Sequence, residues 1–245
     1  MSNGQPLTPA ELKQTLLNVG PEQYHHKHPF HVMMHEGTLT RRHLQAWARN
    51  RYYYQSRIPV KDAIILSRSI DADFRRAWIK RITDHDGAAN TPGGIEKWIR
   101  LAEATGLNRD DVVSERGVLP AVRYAVDAYL HLVSESSLLE AVASSLTEMF
   151  SRDLISFRLG ALRQHYPWLE SGLMYFTARL TQAPEDAGFA LDYVARHAHS
   201  REQQDLAIAA LRSKCAILWA QLDAIYFAYV SPGWEPPMLT TGIQA

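Results

Sequence analysis

The residues most able to do chemistry in this sequence are cations on otherwise apolar helical faces. Residues three and four positions apart share one side of a helix. From Thr40 onward, one such side changes from apolar to ionic and comprises Leu44, Trp47, Ala48, Arg51, Tyr54, Gln55, Ile58, Lys61 and Asp62. Similar changes recur at Arg81 and His85, at Tyr175 and Arg179, and at Lys214. Burying unpaired charge costs several kcal/mol, so these cations either reach solvent or surround an anionic ligand, and spacing leaves both readings open.

The histidines are the second chemical feature. Six of the eleven precede residue 44, and His28, His31 and His35 have a spacing that can place imidazoles on one helical face. Pro29 disturbs the first turn of that helix, and no cysteine joins the group. A di-iron bundle would need Glu-x-x-His on two helices, and we find it only at 22–25. We therefore expect no bound metal.

His85 is a candidate for proton transfer. It lies between Asp84 and Asp86 at the predicted end of a helix, where imidazole can act as an acid or base or can complement the helix dipole. Cys215 lies in an apolar stretch, which is typical of a core thiol. The sequence has no Gly-x-Ser-x-Gly elbow and no glycine-rich phosphate loop. Spacing alone does not decide between the roles of His85.

Helices must position these residues, because no sustained alternation of period two indicates strands. Thr8-Pro9-Ala10-Glu11 predicts a capped helix start, and Gly20 predicts its end. A helix from Thr40 is expected to kink or restart at Pro59. Further helical patterns cover 71–85, 95–105, 119–133, 137–150, 153–163, 170–182, 184–197 and 200–229. We predict an all-α fold with a single domain of seven or more helices over residues 1–230 and an irregular tail over 231–245.

The composition excludes several classes of partner. The chain has 245 residues, and its 26 basic and 26 acidic side chains cancel, so no global basic excess supports nucleic-acid binding. No apolar run approaches the roughly 20 residues of a membrane helix, and no signal peptide is recognisable. The single cysteine precludes an intrachain disulfide, which suits a reducing compartment. We expect a cytoplasmic protein that binds neither nucleic acid nor membrane.

Several motifs together resemble a known family. They are Tyr24-His25 with His28-Pro29, Asn50-Arg51 and Tyr54-Gln55 leading to Ile58-Pro59-Val60-Lys61-Asp62, Arg81-Ile82-Thr83-Asp84-His85-Asp86-Gly87, Val126-Asp127-Ala128-Tyr129, Ser144-Ser145-Leu146-Thr147-Glu148, and His165-Tyr166-Pro167-Trp168. With these motifs the chain resembles the pyrroloquinoline-quinone synthase family from about Tyr24 to Tyr229. The resemblance implies a compact seven-helix bundle, related to haem oxygenases and thiaminase-like proteins, that forms a homodimer.

The resemblance also implies an activity. The enzyme would be a cofactor-free oxidase that closes a ring in a bicyclic, tricarboxylic small-molecule precursor and removes eight electrons from it. Dioxygen would be the acceptor, hydrogen peroxide would be released, and pyrroloquinoline quinone would be the product. No metal is needed if the reduced substrate itself activates oxygen.

The same resemblance assigns residues to roles. Substrate and product binding carries over to Tyr24, His25, Arg51, Gln55, Lys61, Arg81, Tyr129, Thr147, Glu148, Arg158 and Lys214. The catalytic set is His85, Tyr54, Tyr175 and Arg179. In these roles the cations bind carboxylates, with paired hydrogen bonds where arginine is used, and Glu148 and Thr147 take the amine or ring nitrogen. His85 moves ring protons, and the other catalytic residues hold dioxygen and stabilise a developing peroxide anion.

One position departs from the family pattern. Some relatives have a histidine where Ile155 stands, in the proposed oxygen pocket. Isoleucine neither donates a proton nor forms a hydrogen bond. We expect Tyr175 and Arg179 to suffice, with Ile155 forming an apolar wall of the pocket.

Two other functions stay open on the sequence. A non-catalytic carrier or sensor could bind the finished quinone in the same cationic pocket. A metal- or haem-binding bundle could use the early histidines.

Overall fold

The computed structural model describes residues 4–235, except for the side chains of Arg152 and residues 183–186. That part contains the α-helices α1 (Pro9–Gln23), α2 (Pro29–His35), α3 (Arg41–Ser67), α4 (Ala72–Asp86), α5 (Gly94–Ala104), α6 (Arg109–Val113), α7 (Pro120–Glu135), α8 (Leu138–Ala143), α9 (Ser151–His165), α10 (Met174–His197) and α11 (Arg201–Tyr229). Three 3₁₀ segments, His25–Lys27, Ser144–Phe150 and Pro167–Gly172, connect some of them. The predicted all-α class is confirmed.

The first helix begins as the sequence predicts. The Thr8 side chain accepts a hydrogen bond from the backbone of Glu11, and the Glu11 carboxylate accepts one from the backbone of Thr8, which is a capping box. The predicted end at Gly20 is wrong, because α1 continues through Pro21 to Gln23. Close packing requires glycine at position 20, because a Cβ there would lie 2.6 Å from the ring of Phe150.

The break predicted before residue 184 is also wrong, and the helix does not restart at Pro59. Helix α3 runs without a break past Pro59, and α10 continues through residue 184. A proline removes one backbone hydrogen bond from a helix interior. Buried residues on both sides, Gln55 and Ile65 in α3 and Phe176 and Val194 in α10, hold each helix against its neighbours and offset that loss.

A two-stranded antiparallel hairpin follows α4 and was not expected from the sequence. It pairs β1 (Gly87–Ala88) with β2 (Thr91–Pro92). Gly87 has φ +86°, and a Cβ there would lie 2.5 Å from the carbonyl oxygen of Thr91. Only glycine fits this turn, which ends α4 directly after His85 and Asp86.

The helices enclose two buried apolar clusters. One contains Trp47, Trp98 and Phe176, and the other contains Trp78 and Leu218. Helix α3 packs against α4, α5 and α7, while α11 packs against α7, α8 and the segment Ser144–Phe150. No helix in the described part of the chain is both long and apolar enough to cross a membrane.

The predicted irregular tail is only partly described. Residues 231–235 have no helix or strand and fold back on the end of α11, where the backbone N–H groups of Gly233 and Trp234 donate to the carbonyl of Phe227. Residues 236–245 lie outside the described residues.

Candidate active site

A cavity of about 940 Å³, measured out to its opening to solvent, lies between the two apolar clusters. Most of the predicted site residues line it, namely Tyr24, His25, Arg51, Tyr54, Gln55, His85, Thr147, Glu148, Ile155, Arg158, Tyr175 and Arg179. The polar stripe predicted on α3 therefore faces the interior of the molecule along this stretch.

One side of the cavity has its charges paired. The Glu148 carboxylate lies 3.0 Å from Nη2 of Arg81 and 3.2 Å from Nη2 of Arg179. One acid from the segment Ser144–Phe150 thus joins α4 to α10. We call Glu148, Arg81 and Arg179 the paired side.

A second part of the cavity wall has cations without a carboxylate partner among the described residues, of which Arg158 is buried and Arg51 is half-buried. No described carboxylate forms an ion pair with Arg51 or Arg158, and Arg158 is only 7% exposed. The Arg158 Nε has no hydrogen-bond partner among the described residues. Burial, and then the nearby Arg51, lower the pKa of Arg158 to about 10. We call Arg51, Arg158, His25 and His31 the unpaired side.

Two histidines support Arg158 on the unpaired side. The Nδ1 atoms of His25 and His31 are 3.0 Å apart, and Nδ1 of His31 is 2.9 Å from the carbonyl oxygen of His25. Nη2 of Arg158 lies 3.1 Å from Nδ1 and 3.4 Å from Nε2 of His31. Burial, followed by the charge of Arg158, lowers the pKa of both imidazoles well below the usual range. Both rings are therefore neutral at physiological pH.

His85 has a defined tautomer on the wall near the paired side. Its Nδ1 lies 3.0 Å from the carbonyl oxygen of Arg81, which can only accept, so Nδ1 carries the proton. Burial and then Arg179 lower the pKa of His85 to about 4. At neutral pH the ring is uncharged, and its Nε2 has a free lone pair for a proton.

Tyrosines connect the wall to residues behind it. Nζ of Lys214, which is 1% exposed, donates to the hydroxyl of Tyr54 at 2.7 Å and lies 3.3 Å from the ring centre of Tyr129. Burial raises the pKa of Tyr54 well above its usual range, so its hydroxyl keeps a proton to donate. The Gln55 amide and the Tyr175 hydroxyl are also hydrogen-bonded, at 3.0 Å.

Four predicted binding residues lie behind the wall, and they are Lys61, Arg81, Tyr129 and Lys214. Lys61 pairs with Asp62 and donates to the Ser145 hydroxyl at 3.3 Å. In this arrangement Lys214 and Tyr129 support Tyr54, and Arg81 supports Glu148. Their predicted direct contacts with substrate remain predictions.

The structure adds wall residues that the sequence reasoning did not assign to the pocket, including His31, Trp47, Asn50, Trp98, Ser151, Phe176 and Gln221. Gln221 accepts from Nη1 of Arg51 at 3.4 Å. Its position could have been found, because it follows Lys214 by two helical turns on an otherwise apolar face. The aromatic residues of the wall could not have been predicted in this way, because aromatic residues at helical spacing are also typical of a hydrophobic core.

His28, His31 and His35 each have a different main partner, although the rings of His31 and His35 also stack. Nε2 of His28 lies 3.0 Å from the Asp223 carboxylate, His31 contacts His25 and Arg158, and the ring of His35 packs on Phe157. Within residues 4–235, no group of three or more His, Cys, Asp and Glu side chains is placed to hold a metal ion.

The fold and the cavity define a class of protein: a haem oxygenase-like helical bundle around a buried, arginine-rich pocket. Solved structures share this fold. A domain of unknown function with a heme oxygenase-like fold from Shewanella denitrificans OS217 superposes with a TM-score of 0.77 at 13% identity, over 94% of this chain and 97% of its own. A TenA homologue from P. horikoshii OT3 gives a TM-score of 0.70 at 14% identity, over 90% and 99%.

Residues 19–224 match the TENA/THI-4/PQQC family, and the chain belongs to that family. A pyrroloquinoline-quinone synthase from Acidiphilium cryptum is 55% identical over 94% of both chains. A bifunctional coenzyme PQQ synthesis protein C/D from Methylorubrum extorquens is also 55% identical, over 94% of this chain, which spans 62% of that relative. The predicted family is confirmed.

Proposed function

We propose that this chain is an oxidase that completes pyrroloquinoline quinone. It closes a ring in a bicyclic, amino-acid-bearing tricarboxylic precursor and oxidises it by eight electrons, with dioxygen as acceptor and hydrogen peroxide as a product. The similarity to synthases at 55% identity supports this activity. The structural observation that supports this proposal most strongly is that the guanidinium of Arg158 is buried on the cavity wall with no carboxylate partner among the described residues.

The unpaired side suits the carboxylates of the substrate. A buried cation without a partner is costly, and an incoming carboxylate offsets that cost. Arg51 and Arg158 offer planar sets of N–H donors that match carboxylate oxygens two at a time. A tricarboxylic ligand therefore replaces the counter-charge that the described chain lacks here.

His85 serves as the general base. Its neutral ring presents the lone pair of Nε2, while Nδ1–H is held by the carbonyl of Arg81. A ring proton of the substrate passes to Nε2, and the imidazolium returns it to a reduced oxygen species. Burial, and then the paired arginine Arg179, lower the pKa of His85 and so favour that return.

Tyr54, Tyr175 and Arg179 supply donors to the oxygen species. Each transfer of two electrons and two protons from the substrate to dioxygen produces one hydrogen peroxide. The developing anion is stabilised by donors already held in place, such as the Tyr175 hydroxyl bonded to Gln55. Ile155 provides an apolar wall beside them. No resident cofactor or metal enters this scheme, since the electrons come from the substrate.

We further propose that the enzyme acts as a homodimer in the cytoplasm. The family resemblance supports the dimer, and the single, buried Cys215 is compatible with a reducing compartment. Light scattering of the purified protein tests the dimer; a monomer at micromolar concentration would contradict it.

The test of the activity is oxidation of the precursor under air by the wild type and by His85→Ala. We expect the variant to bind the quinone but to lose about 100-fold or more in rate, as for removal of a general base. His131→Ala, on the exposed face of α7, is the matched control and should keep the wild-type rate. Full activity in His85→Ala would overturn the role of that residue.

The same measurements separate the other functions. If the protein is a carrier, the wild type should bind the quinone but should not oxidise the precursor. A metal or haem bundle would show stoichiometric metal or a haem absorption band in the purified protein, and either would overturn the metal-free scheme.

A further inference from the structure

His31 occupies a junction that none of the assigned roles explains. It lies on α2, is 3% exposed, and contacts both the 3₁₀ turn that carries His25 and the α9 residue Arg158. Its place on α2 is well defined, because Pro29 is the first helical residue and the ring of His28 caps the backbone N–H of Phe30 at 3.1 Å.

The hydrogen bonds determine where the protons are. The carbonyl oxygen of His25 can only accept, so Nδ1 of His31, at 2.9 Å, carries the hydrogen. Nδ1 of His25 lies 3.0 Å from that same N–H and shares it as an acceptor. A neutral His25 must then carry its own proton on Nε2, which has no partner among the described residues. His25 therefore presents an N–H donor at the cavity.

The second contact orients Arg158. An arginine only donates, and Nδ1 of His31 already carries a hydrogen, so Nη2 of Arg158 forms no hydrogen bond to that nitrogen. Nη2 lies at similar distances from Nδ1 and Nε2 of His31, 3.1 and 3.4 Å, and therefore sits over the face of the neutral imidazole ring. This contact fixes the position of the guanidinium and leaves its N–H donors without a carboxylate in the described chain.

We propose that His31 is a positioning residue for substrate binding: it sets the tautomer of His25 and holds Arg158, so that both present N–H donors to one carboxylate of the substrate. The identity of that ligand rests on the proposed function. The tautomer of His25 is a property of the protein alone. Two neighbouring donors of this kind match the two oxygens of a carboxylate.

The groups around the pair keep the two rings neutral. Burial has the largest effect on both pKa values, and the nearby cations Arg158, Arg51 and Lys214 act in the same direction on His25. Arg158, His25 and His35 do so for His31. With both rings neutral, each has one donor and one acceptor nitrogen, as the geometry requires.

Two substitutions distinguish positioning from simple packing. His31→Leu keeps most of the volume but removes both ring nitrogens. His31→Asn restores an N–H close to the position of Nδ1 and leaves out the aromatic ring that packs against Arg158. His35→Leu is the matched control on the same helix: its ring packs on Phe157 and stacks 6.2 Å, centre to centre, from that of His31, so the variant removes a ring neighbour of His31 but no hydrogen bond. His35 lies outside the cavity, and its buried Nε2 has no hydrogen-bond partner to lose within the described residues.

The first measurement is the tautomer of His25 in the ligand-free protein, read from long-range ¹H–¹⁵N correlations with ¹⁵N-labelled histidine and assigned with His25→Asn. We expect the Nε2–H form in the wild type, His31→Asn and His35→Leu, and a mixture in His31→Leu. The second is the dissociation constant for pyrroloquinoline quinone. We expect it to rise about 30-fold in His31→Leu, the loss of a hydrogen bond to a charged group, about fivefold in His31→Asn, and less than twofold in His35→Leu.

The outcomes separate the two hypotheses. An unchanged His25 tautomer in His31→Leu, together with an unchanged affinity, overturns the role of His31 even if the enzyme is active. A wild type that binds no quinone overturns the proposed function, and the tautomer measurement then still decides whether His31 sets the proton on His25. Equal losses in all three variants would indicate packing alone and would also overturn the role.

Discussion

The two sides of the cavity carry the same kind of charge and differ in how it is compensated. On the paired side, Glu148 holds Arg81 and Arg179 at 3.0 and 3.2 Å. On the unpaired side, Arg158 is equally buried, and its described neighbours are histidines. The chain thus balances its buried charge where arginines support the catalytic base and leaves it unbalanced where the carboxylates of a ligand would lie. Stability and binding should therefore respond in opposite ways to substitutions on the two sides.

The largest expected effect is that of Arg158→Met. Affinity for pyrroloquinoline quinone should fall about 1,000-fold, because a buried partner of a carboxylate is lost. The ligand-free protein should gain about 1 kcal/mol in its free energy of unfolding, because an uncompensated buried cation is removed. Calorimetric titration and urea unfolding measure the two quantities.

The control for this variant is Arg163→Met, since Arg163 pairs with Glu170 at the surface, 3.1 Å away. Its effects on affinity and stability should be small. A fold destabilised by Arg158→Met would show that the unpaired side is compensated in the ligand-free protein, and the contrast between the two sides would disappear.

The next effect is a loss of stability at acid pH through His85. Its pKa is about 4 in the folded chain and about 6.5 when unfolded, so below pH 6.5 the unfolded state binds the proton first. The contribution of His85 to the free energy of unfolding should be complete above pH 6.5 and fall by about 3 kcal/mol as the pH approaches 4. Urea unfolding at pH 7, 6 and 5 measures how the free energy of unfolding changes with pH.

The matched variant is His85→Gln, which has no titrating ring and should show a shallower slope over the same pH range. The other buried histidines, His25 and His31, act in the same direction and leave a residual slope. If the free energy of unfolding changes with pH equally in the wild type and the variant, the pKa of His85 is not lowered in the folded chain, contrary to what its burial implies.

A smaller effect is expected for Glu148→Gln on the paired side. The substitution leaves Arg81 and Arg179 without their shared carboxylate and should lower the free energy of unfolding by about 2 kcal/mol, given that Glu148 is partly exposed. Thermal or urea unfolding measures it, with Glu170→Gln at the surface as the control. The sign is opposite to that of Arg158→Met, and equal signs would refute the distinction between the sides.

The smallest effect is expected for Ile155→His, next to the unpaired side on α9. If Tyr175 and Arg179 suffice as donors, the rate of oxygen consumption should change by less than about threefold, which is below about 1 kcal/mol. Stopped-flow spectra of reduced intermediates measure it, with Ile155→Leu as the control. A gain of tenfold or more would show that the oxygen pocket lacks a donor in this chain.

Much of the fold could be predicted because its signals are local. The capping box at Thr8 and Glu11 involves residues three apart, and the mixed stripe on α3 repeats every three or four residues. The predicted break before residue 184 was wrong, and the helix does not restart at Pro59, for the converse reason. Whether a helix survives a proline depends on what packs against it, and that information lies elsewhere in the chain.

The sequence by itself determined the helical class, the family and most of the polar residues that line the cavity, because periodicity and motifs are properties of neighbouring residues. Tertiary structure alone decided which cations are compensated. Glu148 lies 67 residues from Arg81, and His31 lies 127 residues from Arg158, so no local spacing relates them. Ion pairs and tautomers depend on distances of about 3 Å between side chains of different helices, and only folding brings those atoms together.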